Sequence, residues 1–92
     1  MKLGNRIRRI FKVDAEHFCV GIEFSDGVRE TVDLAFLFDR PRGKPLRLEI
    51  LRGQLFGRCF VESGALAWPN GYELCPDALR MWSANQRRRR AA

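Results

Sequence analysis

The sequence predicts a small α+β domain: an antiparallel sheet of about five strands, built from two hairpins, with a C-terminal helix packed on one face. Three observations predict it. Phe18, Val20, Ile22 and Phe24 alternate with Cys19, Gly21 and Glu23 at the two-residue period of a half-buried strand. In Trp68-Pro69-Asn70-Gly71 the residue before proline is pushed toward extended backbone, and proline, an Asx acceptor and a glycine then supply a tight turn. Pro76 suits the first turn of a helix, where its missing N–H is no loss, and Asp77 suits the positive end of the helix dipole.

The elements follow in order. Residues 6–13 are rich in β-formers and make the first strand, and the alternation at 18–24 makes the second. Ser25-Asp26-Gly27 is a hairpin signal, and Val28, Val32 and Leu34, with Glu30 in register, read as a third strand. Asp33 is placed to cap a short helical turn through Phe38, and residues 39–45 have the composition of an exposed loop. Between Leu46 and Phe56 the apolar residues fit neither period, and the expectation is an extended segment followed by a helical turn at 54–58. Ser63-Gly64 joins residues 59–62 to 65–68 as a second hairpin. In the last helix Ala78, Leu79 and Trp82 share the face that packs on the sheet, with Arg80 and Ser83 pointing elsewhere. Residues 1–86 form one domain, and the like-charge run at 87–92 reads as a self-repelling, disordered tail.

With 92 residues the chain suffices for one core. No apolar run approaches the roughly 20 residues of a membrane span, and no signal peptide is evident. Three cysteines, Cys19, Cys59 and Cys75, are an odd number without a C-x-x-C pair, and with a single histidine they read as reduced thiols of a cytoplasmic protein rather than as a metal site. The net charge of +6 is unevenly distributed: the first 12 residues carry 5 basic side chains and no acid, residues 87–90 are four arginines, and the remainder holds 8 basic against 11 acidic residues.

No reaction centre emerges. His17 lacks a nucleophile partner by motif, and Asp26, Asp33, Glu73 and Asp77 each occupy positions that turn or cap chemistry explains. The glycines are scattered among turns, without the spacing of a phosphate-binding loop. No cofactor is expected. Arg87, Arg88, Arg89 and Arg90, with Arg6, Arg8 and Arg9, are the candidates for non-specific nucleic-acid contact, although they lack interleaved aromatics and a helix-turn-helix pattern. Trp68, Asn70 and Tyr72 are candidates for a protein-interaction surface, as clustered aromatics often are.

Phe24-Ser25-Asp26-Gly27 with Val32-Asp33-Leu34, then Leu55-Phe56, then Trp68 to Leu79 in the pattern W-P-N-G-x-[DE]-L-x-P-D-x-L, resembles the small bacterial family called domain of unknown function 2442, over about residues 6–80. The resemblance implies a short prokaryotic protein encoded beside another small protein, and hence an antitoxin-like module that binds that neighbour without catalysis. It carries no catalytic or cofactor residues. The expected contacts are Arg6, Arg8 and Arg9 on an edge strand able to accept a partner's strand, together with Trp68, Asn70 and Tyr72. The alternative is a nucleic-acid accessory protein that uses its basic first strand and arginine tail. The partner's identity and the oligomeric state stay open.

Overall fold

Three strands form where the β-rich stretches predict them: β1 (Ile7–Asp14), β2 (Cys19–Phe24) and β3 (Arg29–Asp33) make an antiparallel meander in that order. The computed structural model describes residues 5–91, so Lys2 of the basic amino-terminal stretch and Ala92 lie outside the described residues. Alternation sets the faces. Val20, Ile22 and Phe24 of β2 and Val32 of β3 point into the core, and β1 joins them with Ile7 opposite Phe24, Ile10 opposite Ile22 and Val13 opposite Val20. The β2–β3 turn follows its sequence: Gly27 takes φ 88° and the Asp26 carboxylate accepts the Val28 N–H at 3.1 Å. Phe18 is a turn residue at φ 56° rather than the first residue of β2, and its ring stacks on Phe38 at 5.3 Å.

The remaining strands form a second sheet instead of extending the first. β4 (Phe60–Glu62), β5 (Ala65–Ala67) and β6 (Glu73–Leu74) pair antiparallel in that order. Ser63 and Gly64, at φ 49° and 84°, supply the two left-handed residues of a two-residue hairpin. β4 contacts β1, and the Ile7 N–H donating to the Gly64 carbonyl at 2.9 Å ties the two sheets together. The Pro69-Asn70-Gly71 turn proves to be a hairpin loop: Trp68 N–H donates to Tyr72 O at 2.9 Å, Gly71 N–H donates to Trp68 O at 3.0 Å, and Gly71 takes φ 91°.

Short helical segments lie between the sheets. α1 (Ala35–Phe38) begins where the Asp33 carboxylate accepts the Ala35 N–H at 2.9 Å. The expected extended segment after residue 45 is instead helix α2 (Pro45–Arg52), with Pro45 in its first turn. Only Ile50 of α2 is buried and Leu46 is exposed, a stripe too thin to show as helical periodicity. A 3-10 turn at Phe56–Arg58 follows, as the expected turn at 54–58 suggests.

α3 (Pro76–Ala91) packs against β3 of the first sheet. Two expectations about it need correction. Ser83 is not on the outer side: it is buried beside Leu79 one turn earlier, and its hydroxyl donates to the Arg80 carbonyl at 2.8 Å. Nor do the arginines form a disordered tail, because the helix continues through Arg90. Cations suit the negative end of the helix dipole. Arg87 also pairs with Glu30, a nearly buried inward-facing residue of β3. One residue earlier, the Gln86 amide grips the β3 backbone, accepting from Asp33 N–H at 2.9 Å and donating to Asp33 O at 2.8 Å. The core that all elements share is built from Ile22, Phe24, Leu34, Ile50, Leu66, Trp68 and Leu79.

Candidate partner-binding surface

The outer face of the first sheet gathers cations. Odd-numbered positions of β2 and β3 point outward, so Glu23 meets Arg29 across the strands, while β1 brings up Arg8 and Arg9. Three guanidinium groups converge on that one carboxylate: Arg8 at 3.0 Å, Arg9 at 3.2 Å and Arg29 at 3.3 Å. Partial burial alone would raise the Glu23 carboxyl, but Arg9 and Arg8 outweigh it and hold it below the usual carboxylate range. All three arginines remain more than half exposed. The cluster is therefore cationic toward solvent even after its internal pairing. Beside it the Phe11 ring lies across Gly21, where a Cβ would come within 2.7 Å of it, and the Arg29 guanidinium sits 4.5 Å from the ring centroid.

The expected contact residues divide into two groups. Arg8 and Arg9 belong to this cluster, and Arg8 also donates to the Ser25 carbonyl at 2.7 Å. Arg6 is exposed, its side chain lying over Gly64 at the junction of the two sheets. Trp68, Asn70 and Tyr72, by contrast, hold the fold together. Trp68 is 1% exposed, its indole N–H donating to the Phe56 carbonyl at 3.0 Å, which removes it from any surface. The Asn70 amide donates to Leu46 O at 3.0 Å and Glu49 Oε1 at 2.9 Å, tying the hairpin loop to α2. Tyr72 is half-buried and its hydroxyl accepts from Arg47 Nε at 2.7 Å. Arg29 and Phe11 were missed. The parity of β3, with Glu30 and Val32 inward, is the signal that would have turned Arg29 outward.

The edges of the first sheet are less open than a free strand suggests. Register shifts interrupt β1 around Arg8 and Phe11, and its first residue is bonded to Gly64. Bulges and charges of this kind blunt an edge against added strands. The opposite edge, β3, is occupied at Asp33 by the Gln86 amide. Docking on the face of the sheet is accordingly easier than adding a strand to β1.

Burial, then Asp33 and Asp14, push the Cys19 thiol up, while Lys12 and Arg90 pull it down. Arg88, Arg89 and Arg90 are exposed. Elsewhere, His17 Nδ1 lies 2.9 Å from Asp14 Oδ2 at the surface, and the described residues hold no cluster of three or more potential metal ligands. No helix among the described residues is long and apolar enough to cross a membrane. No protein-family model, no curated protein and no solved structure matches the chain.

Proposed function

We propose that the protein is a non-catalytic, cytoplasmic binding module that holds an acidic protein partner on the outer face of its first sheet, in the manner of an antitoxin masking a small toxin. One observation carries this reading: Arg8, Arg9 and Arg29 crowd a single carboxylate on an exposed face. Such a cluster is preorganised, because the Glu23 carboxylate already orients the guanidinium forks that a partner's carboxylates would meet, and exposed cations steer encounter with an acidic surface. The resemblance to domain of unknown function 2442 supports a partner encoded next to this chain.

Co-expression with the adjacent small reading frame tests it. The expected result is a complex burying about 1,200–2,000 Å², weakened by salt, and slowed growth when the neighbour is expressed alone. A harmless neighbour that fails to co-purify at low salt contradicts the reading. A second reading, nucleic-acid contact, is favoured by the exposed arginines Arg88, Arg89 and Arg90 at the end of α3. Binding of DNA or RNA that weakens by about one unit of log–log salt slope for each arginine removed supports it.

A further inference from the structure

Arg88, Arg89 and Arg90 stand beside an aromatic groove that the linear sequence hides. Trp82, Asn85, Gln86 and Arg89 form one stripe of α3 at i, i+3, i+4 and i+7, and Phe36 of α1 faces them across a cleft of about 360 Å³. Phe36 is 52% exposed, which is high for so large an apolar side chain, and its ring meets Trp82 edge-on, with centroids 5.1 Å apart. No acidic residue lines the cleft, and none follows Asp77 in the chain. Arg87 is committed to Glu30, but Arg89 lines the cleft, and Arg88, which donates to Asn85 Oδ1 at 3.1 Å, and Arg90 are exposed in the same last turn.

We infer that this groove takes an unpaired nucleobase of a single-stranded nucleic acid, with the flanking phosphates held by Arg88, Arg89 and Arg90. The inference rests on the nucleic-acid reading above and names its site. A base needs a π-face to stack on and polar groups along its edge; Phe36 and Trp82 offer the first, Asn85 and Arg89 the second. Stacking on aromatics inside a cationic groove tolerates any sequence, because every base has a π-face, whereas a paired base keeps that face inside the duplex. An acidic peptide would satisfy the arginines. It would use neither the open cleft nor the exposed edge-to-face pair as well, since protein anchors favour deep, dry pockets.

The test uses the full chain with a single-stranded oligothymidylate of about 12 nucleotides and with a duplex of equal length, followed by tryptophan fluorescence and by anisotropy at several salt concentrations. Trp68 is 1% exposed, so quenching by an added base reports Trp82. The single strand should quench and should bind more tightly than the duplex. Phe36→Ala, at a half-exposed site, should weaken single-strand binding about tenfold with the salt slope unchanged. Arg88→Gln with Arg90→Gln should lower that slope by about 1.4. Arg89→Gln, which leaves both rings in place, should reduce affinity and slope and retain the quench. Equal, salt-dependent binding of both oligonucleotides without quenching, and without an effect of Phe36→Ala, overturns the groove while leaving nucleic-acid contact standing. Binding of neither overturns both, and quenching produced only by the protein partner assigns the groove to that partner instead.

Discussion

Trp68 fills the space between Phe38, Phe56 and Tyr72, with ring centroids 5.6–6.5 Å away and its N–H on the Phe56 carbonyl. Trp68→Ala should cost about 3–5 kcal/mol, a large share of the stability of so small a domain, as read by urea unfolding. Trp68→Phe keeps a ring but strands the Phe56 carbonyl, and should cost at least about 1 kcal/mol. The thiols differ in the same way by environment: burial pushes Cys59 up to about 11, whereas Cys75 is exposed. Under native conditions a disulfide reagent should modify Cys75 first and reach Cys59 only on unfolding. At the surface the hydrogen bond that the Asp14 carboxylate accepts, and then its charge, raise the His17 imidazole above its ordinary 6.5, while the same contact lowers the Asp14 carboxyl. The His17 contribution to stability is complete below 6.5 and fades as pH rises through the higher folded value. The Asp14 contribution fades as pH falls through its lowered one. In Asp14→Asn the His17 titration, followed by NMR, should return toward 6.5.

Among the elements, α3 depends most on contacts remote in sequence. Arg87→Ala leaves the Glu30 carboxylate nearly buried without its cation and should destabilise by about 1–2 kcal/mol, less than a fully buried pair because Arg87 is itself 57% exposed. Glu30→Leu in the same background should recover that loss, since an apolar residue at this inward position leaves no carboxylate to desolvate. Deleting residues 87–92 is therefore not neutral, as a disordered tail would be. The hairpins were legible in the sequence because Ser25-Asp26-Gly27, Ser63-Gly64 and Pro69-Asn70-Gly71 specify their backbone locally, and Gly27, Gly64 and Gly71 all take positive φ. The second half of α3 was not legible. Its order comes from Glu30 and Asp33, more than 50 residues upstream, and a run of like charges gives no local hint of them. α2 escaped notice because it buries Ile50 and little else, and Asn70, read as a contact residue, is what holds it.

At the scale of the molecule, the basic stretches of the sequence become separate surface clusters, Arg8 and Arg9 on the outer face of the first sheet and Arg88 to Arg90 at the end of α3. Arg8 and Arg9 were legible as candidates, but Arg29 and Phe11 joined them only once β2 placed Glu23 and Gly21 between β1 and β3. Phe36 and Trp82 likewise meet only in three dimensions. Charge placed this way makes association the salt-sensitive step, so reversing Arg8 and Arg9 to glutamate should slow complex formation more than it speeds dissociation. The most direct measurement is the association rate of the co-expressed neighbour with the wild-type chain and with Arg8→Glu/Arg9→Glu, across ionic strength. The association rate should fall at least about tenfold in the variant, with a flattened salt dependence, while thermal unfolding stays within a few degrees. Identical association rates for the two proteins, or a partner that binds equally well at low and high salt, would contradict it.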